Sequence, residues 1–304
     1  MSPSPALPGS SQSQRAGLLA GFAAYLSWGL LPVYWKAVQA VPALEILCHR
    51  IIWSVVFSGA CLLVTRHGRE VADAFRSRRN LAYLVASSLL VASNWGLYIY
   101  GVNAGHVVQC SLGYYINPLI NVILGFIFFR DRLRPVQWIA VALAAAGVAN
   151  EVVRFGQLPW IALLLALTFG LYGLVRKKMG SGPLVGIFIE TAFMSLPAAA
   201  YLVWLHVQGW GALGTLGLKT DLILLGAGMI TTLPLLGFNY GARRLSLVTM
   251  GILQYIAPTC MFLLGILVYG EAFSVVQLWT FILIWCGVIL YTTESTLHFK
   301  RMAH

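Results

Sequence analysis

The chain has 304 residues, 59% hydrophobic and 10% charged, with a mean hydropathy of +0.81 and a formal net charge of +11. Soluble domains carry about 25% charged residues, so this composition excludes a water-soluble globular protein and points to the lipid bilayer as solvent and partner. The basic excess collects in short connections between apolar runs, where it suits an anionic membrane surface and implies no nucleic-acid partner.

Residues 1–16 are rich in Ser, Pro and Gln, hold one basic residue, Arg15, and lack the charged start and small-residue cleavage site of a signal peptide. They are expected to form a disordered cytoplasmic tail. Ten apolar runs follow, at 17–36, 44–64, 81–100, 106–128, 136–153, 158–175, 184–205, 222–241, 247–268 and 275–293, each about long enough to cross a hydrocarbon core. The stretch 65–80 is a basic connector with room for one or two amphipathic turns, and 294–304 is a second cytoplasmic tail. Cys48, Cys61, Cys110, Cys260 and Cys286 fall inside expected spans as small apolar side chains, so neither a disulfide framework nor a metal cluster follows from them.

Shifted by 140 residues, the chain matches itself. Between Tyr115 and Val148, 10 of 34 positions are identical to those from Tyr255 to Val288, including Tyr115/Tyr255, Pro118/Pro258, Gln137/Gln277 and Gly147/Gly287. The chain is thus two copies of one unit, 17–153 and 158–293, with five spans each. The charges do not follow the repeat: Arg130, Arg132 and Arg134 become Gly270, Ala272 and Ser274, while Asn103-Ala104 becomes Arg243-Arg244. An odd number of spans per unit inverts the second copy. With the N-terminus inside, sixteen of the twenty Lys and Arg lie on the inner side, so both termini are expected in the cytoplasm. The fold class is an all-α integral membrane protein of ten transmembrane helices in two inverted five-helix repeats.

Motifs of an enzyme or a nucleotide-driven pump do not occur. Gly214 to Thr220 superficially resembles a phosphate loop, but Lys219 does not follow a glycine and no strand precedes it; there is no H-E-x-x-H and no G-x-S-x-G. No cofactor or metal is expected. The chemistry must then sit in polar groups at membrane depth, where a charge costs at least about 2.5–3.5 kcal/mol.

Arg50 in the second span and Glu190 in the seventh are related by the 140-residue shift and lie near opposite faces. In the plain reading each snorkels or pairs locally, Arg50 with Glu45 on its own helix. In the sharper one Arg50 attracts an anionic substrate group and Glu190 is the proton-coupling candidate, since burial disfavours the charged carboxyl. Pro118 and Pro258 sit in the middle of the fourth and ninth spans, where a missing N–H and a displaced i−4 carbonyl kink a helix and free the backbone oxygens of Tyr114 and Gln254. Tyr114, Asn117 and Asn121 recur on one face of the fourth span; Gln254 and Tyr255 are their counterparts in the ninth. Asn94 and Tyr98 share a face of the third span, Asn239 lies in the eighth, and Trp28 lies mid-span in the first. All are candidate substrate contacts around a cavity at the repeat interface, against the plainer alternative of polar plugs and packed aromatics. Tyr100 and Tyr240, near span ends, fit interfacial anchors better than ligands. Gly17/Gly21, Gly101/Gly105 and Gly237/Gly241 have the spacing that lets helices approach closely.

The segments Ser27-Trp28-Gly29-Leu30-Leu31-Pro32-Val33-Tyr34-Trp35-Lys36, Glu45-Ile46-Leu47-Cys48-His49-Arg50, Ser93-Asn94-Trp95-Gly96-Leu97-Tyr98-Ile99-Tyr100 and Gly113-Tyr114-Tyr115-Ile116-Asn117-Pro118-Leu119 resemble the RarD-type permeases. These belong to the duplicated EamA branch of the drug/metabolite transporter superfamily, and the resemblance runs from about residue 15 to 295. It implies a ten-helix bacterial inner-membrane permease, and the RarD name is associated with chloramphenicol sensitivity or resistance. It supplies no catalytic residue. The expected function is an alternating-access secondary transporter, an exporter of a small organic metabolite or drug-like solute, driven by an ion such as the proton or by the solute's own gradient. A passive facilitator or channel is the alternative. An intramembrane enzyme would need a positioned acid–base or nucleophile–base pair, and the neighbour of His49, the one histidine clearly inside a span, is Arg50, which points elsewhere on the helix. A non-transporting interaction protein would have no use for duplicated kinked helices.

Overall fold

The computed structural model describes residues 11–66, 68–74, 78–129, 134–156, 158–177, 182–245 and 247–302. Residues 1–10 and 303–304 of the expected tails, and Arg76, Arg130, Arg132 and Lys178 of the charge pattern, lie outside the described residues. The described chain forms α1 (Ser11–Lys36), α2 (Ala43–Thr65), α3 (Gly68–Ala74), α4 (Arg78–Asn103), α5 (Val107–Phe129), α6 (Pro135–Phe155), α7 (Trp160–Lys177), α8 (Pro183–Val207), α9 (Leu218–Ala242), α10 (Leu247–Leu253), α11 (Ile256–Leu263), a π-helical turn over Leu264–Val268, and α12 (Val275–Met302). Only helices appear among the described residues, as expected where lipid offers the backbone no partner.

Eight of the helices are long and apolar enough to cross a membrane; Trp160–Arg176 and Ile256–Val268 are shorter apolar helices at the expected sixth and ninth spans. The ninth span is not one helix. It divides between Leu253 and Ile256, where Tyr255 N donates to Ile252 O, three residues back, at 3.2 Å. Pro258 cannot donate to Gln254 O, so the regular ladder fails there and resumes as Thr259 N meets Tyr255 O at 3.1 Å. Its repeat partner Pro118 lies within α5, a single helix. At the ends, helix α1 already begins at Ser11, inside the stretch expected to be disordered, and α12 continues to Met302. The basic connector holds the two turns of α3.

The repeat is visible in local geometry. Gln137 Oε1 accepts Arg134 N at 3.0 Å at the start of α6, and Gln277 Oε1 accepts Ser274 N at 2.9 Å at the start of α12. Helices related by the 140-residue shift pack on each other: α2 on α8, α5 on α11, and α6 on α12. The pairing of α1 with α9 is mirrored by that of α7 with α4. Equivalent helices run in opposite directions because the traversals alternate, so the pseudo-twofold axis lies in the membrane plane. The stacked rings of Tyr115 and Tyr255, themselves repeat partners, are 6.2 Å apart between α5 and the α10–α11 break. Two of the three glycine pairs work as their spacing predicts: a Cβ on Gly241 would lie 3.0 Å from Gly17 O and 3.2 Å from Gly21 Cα, so α1 and α9 touch backbone to backbone, whereas Gly105 of the third pair lies past the end of α4 and a Cβ there would meet nothing within 4 Å.

The two ends of the bundle differ. At the end reached by the α1–α2 connection, the distal face, one buried cluster joins Leu31, Trp35, Ile46, Tyr98, Val107, Ile161, Ala212, Leu224 and Met261 from both repeats. Away from that end the buried apolar residues divide into several groups, one of which ties α5, α6, α7 and α12 together through Leu112, Tyr115, Ala140, Ala166, Phe281 and Val288, and two others lie toward the opposite, terminal face. Of these two, one contains Leu62, Ala74, Leu84, Val185 and Ile189, and the other Tyr25, Met250, Leu253 and Ala257.

Candidate functional site

Arg50 lies seven residues into α2, roughly 10 Å from its start, and Glu190 lies equally far into α8. Arg50 is 5% exposed. Its Nε donates to Thr231 Oγ1 of α9 at 3.0 Å, and its guanidinium carbon sits 3.9 Å from the ring centre of Trp95 and 5.3 Å from that of Trp35. Tyr98 and Tyr114 are its electrostatic neighbours, their rings edge-on at 6.0 Å. Gly228 makes this possible. A Cβ there would fall 2.0 Å from Trp53 O, so α9 rests on the α2 backbone and brings Thr231, one turn on, to Arg50.

The expected local pair with Glu45 does not form. Five residues apart on a helix, the two side chains point about 140° away from each other. Glu45 Oε1 instead accepts Ala212 N at 2.6 Å, and His49 Nε2 lies 4.0 Å from it on the same face.

Glu190 is fully buried, and its local partner is Arg176 in the last turn of α7. Arg176 Nη1 lies 3.6 Å from Glu190 Oε1, and Tyr172 Oη donates to Glu190 Oε2 at 3.1 Å. Arg176 also reaches Gly182 O at 3.3 Å and lies flat over Gly186, where a Cβ would come within 1.8 Å of Nη1. Ser87 of α4 faces the same carboxylate. Arg50 and Glu190 do not meet, but a line of rings runs between their sites: Tyr98 to Tyr114 at 6.0 Å, Tyr114 to Phe169 at 6.3 Å, and Phe169 to Tyr172 at 6.0 Å.

The other sequence candidates separate into two groups. Tyr98 and Tyr114 join Arg50. Asn94, by contrast, donates to Leu165 O at 3.0 Å and Thr168 Oγ1 at 2.9 Å, a tie between α4 and α7. Trp28 packs among Tyr25 and Phe238, at 5.3 and 5.7 Å. Tyr255 stacks on Tyr115, its hydroxyl between Thr292, at 3.4 Å, and the side chain of Gln254. Asn239 and Gln254 are half-buried. Asn117 has a buried Oδ1 with no hydrogen-bond partner, while Asn121 is exposed and lies against Gly170 of α7. Pro118 is buried within α5, and Pro258 O accepts Ser111 Oγ at 2.7 Å. No group of three or more His, Cys, Asp or Glu that could hold a metal occurs among the described residues.

Sequence reasoning missed several members of these sites, Ser87 among them. Trp35 and Thr231 carry no charge to mark them, Tyr172 reads as one more apolar-span aromatic, and Arg176 is one of the sixteen basic residues assigned to the inner side. The one available signal was its position: a basic residue in the last turn before a short connection can fold onto the helix that follows.

A bundle of two inverted five-helix units with charges enclosed at membrane depth defines a membrane transporter. The sequence profile of the EamA-like transporter family matches residues 15–150 and 159–293, one unit each, and the chain belongs to that family. It is 45% identical to an uncharacterized transporter of Vibrio cholerae over 93% of this chain and 94% of that protein. It is 40% identical to Protein RarD of Escherichia coli over 94% of this chain and 96% of that protein. A solved structure titled only as a crystal structure of a protein shares the fold, with a TM-score of 0.57 at 19% identity, covering 95% of this chain and 99% of that one.

Proposed function

We propose that the protein is an alternating-access secondary transporter of the bacterial inner membrane that exports a small organic metabolite or drug-like solute. The observation that carries this reading is the unequal packing of the two ends. One continuous apolar cluster spans both repeats at the distal face, whereas away from it the buried residues divide into separate groups, one on α2, α3, α4 and α8, one on α1, α10 and α11, and one on α5, α6, α7 and α12. That pattern supports a conformation closed distally and parted at the terminal face, with Arg50 beneath the closed end. The broken ninth span supplies a hinge, since a helix interrupted at Gln254 and Tyr255 can bend without breaking further ladder bonds. With both termini in the cytoplasm, as the basic residues favour, the parted face is cytoplasmic, the state that loads cargo for export.

Proton coupling, in this reading, falls to Glu190, the buried carboxylate whose Arg176 partner sits on a neighbouring helix. Uptake and efflux in proteoliposomes against a panel of metabolites and antibiotics, with and without a pH gradient, test the proposal. Solute exchange that depends on the protein and is driven outward by a proton gradient is expected. Flux that only ever equilibrates the two sides would favour a facilitator.

A further inference from the structure

Among the described residues, Arg50 is a buried cation with no carboxylate in salt-bridge range. Five carboxylates are engaged elsewhere: Glu45 with Ala212 N, Glu190 with Arg176 and Tyr172, Glu271 with Val107 N and Val108 N, Asp221 with Gly214 N, and Glu294 with Arg134. The guanidinium has Thr231 and two indole faces, and its Nη1 has no acceptor. Two more buried donors of the same cluster are unpartnered, Trp35 Nε1 and the Tyr98 hydroxyl. Trp35 is 0% and Tyr98 2% exposed.

A desolvated donor left unsatisfied is costly and a desolvated unpaired charge more so. A site that retains three donors and one permanent positive charge is therefore complete only when an anionic acceptor enters. The repeat relation argues against a purely architectural role. The counterparts of Trp35, Arg50, Trp95, Tyr98, Tyr114 and Thr231 are Val175, Glu190, Leu235, Phe238, Gln254 and Val91, so the fold is built in the other unit without this chemistry.

We propose that Arg50, Trp35 and Tyr98 form a carboxylate-binding site, and that the transported solute is a small organic monocarboxylate with an apolar or aromatic body. This rests on the transporter reading above. A guanidinium fork matches the planar carboxylate in a bidentate geometry. One cation neutralises one negative charge, which disfavours a phosphate dianion. Trp35, Trp95 and Tyr114 surround the guanidinium, so the apolar body of a solute bound to it would lie among aromatic rings in place of water.

The test uses the full-length protein purified in detergent and its tryptophan fluorescence, titrated with phenylacetate, its neutral isostere phenylacetamide, the cation phenethylamine, and sodium chloride, all in a zwitterionic buffer free of carboxylates. Phenylacetate is expected to give a saturable change at least tenfold tighter than the other three. Arg50→Gln should abolish it and Arg50→Lys should retain a weaker preference for the anion. Arg50→Gln risks misfolding, and Tyr98→Phe guards against that: it deletes a hydroxyl that makes no bond in the unliganded protein, so the melting temperature should hold while affinity for phenylacetate falls several-fold. A response equal for phenylacetate and phenylacetamide, a site filled equally by chloride, no response to phenylacetate, or one untouched by Tyr98→Phe and Arg50→Gln would each overturn the proposal. Counterflow in proteoliposomes separates the two readings. Exchange of a neutral solute independent of Arg50 would sink the carboxylate site and leave transport standing; carboxylate binding without any exchange would do the reverse.

Discussion

Gly228→Ala is the sharpest test of how the Arg50 site is assembled. The added methyl would fall 2.0 Å from Trp53 O and 2.8 Å from Ser54 N, backbone atoms that cannot swing aside. Opening 2.0 Å to an ordinary contact of 3.4 Å requires α2 and α9 to part by about 1.4 Å. A gap of about 0.5–1 Å already forfeits a quarter to a half of each dispersion contact across the interface. The same displacement stretches the Arg50–Thr231 bond, now 3.0 Å, beyond bonding range. Overpacking and the lost bond together amount to about 2–4 kcal/mol. Thermal unfolding followed by size-exclusion chromatography in detergent should show a melting temperature lowered by several degrees. Gly173→Ala is the control: a Cβ there meets nothing within 4 Å, so helix propensity should leave it neutral or up to about 1 kcal/mol stabilised. Equal melting temperatures for the two variants would show that α2 and α9 are not in backbone contact, and the account of how Thr231 reaches Arg50 would fall with it.

Glu190→Gln, which keeps the shape of the carboxyl beside Arg176 and Tyr172, should abolish gradient-driven accumulation yet leave exchange at equal concentrations; accumulation at the wild-type level would make Glu190 a packing residue. Glu271 accepts Val107 N at 2.7 Å and Val108 N at 2.8 Å, capping α5 from the other repeat, so Glu271→Ala should cost about 1 kcal/mol in the same melting assay and no change would dismiss the cap. Single cysteines at Asn117 and Gln254, in a chain with the five native cysteines replaced, should react with a membrane-impermeant thiol reagent in at least one transport state. Inertness from both sides, with loop cysteines reacting, would move the cavity elsewhere. Reporter fusions after residues 70, 132, 178 and 304 should report cytoplasm and those near 40, 156 and 214 the outside, and a periplasmic result at 178 would break the inverted arrangement.

Span lengths, the 140-residue repeat and the displaced basic residues were legible in the sequence because each is a one-dimensional pattern: hydrocarbon thickness fixes run length, and an odd span count per unit inverts the second copy. Arg50 and Glu190 were legible as well, since a charge at membrane depth is rare whatever surrounds it. Their partners were not. Glu45 is five residues from Arg50 yet points away, whereas Trp35, Trp95 and Thr231 come from three other helices, Thr231 brought in where Gly228 lets the backbones of α2 and α9 touch. The two prolines look equivalent in the chain, but only the span at Pro258 divides. Asn94 and Tyr98 share a face in sequence and part in function, one tying α4 to α7 and the other closing on Arg50. Periodicity and composition are local properties and survive in a string of letters; which donor lacks an acceptor depends on the approach of helices far apart in that string, and only the packed bundle decides it.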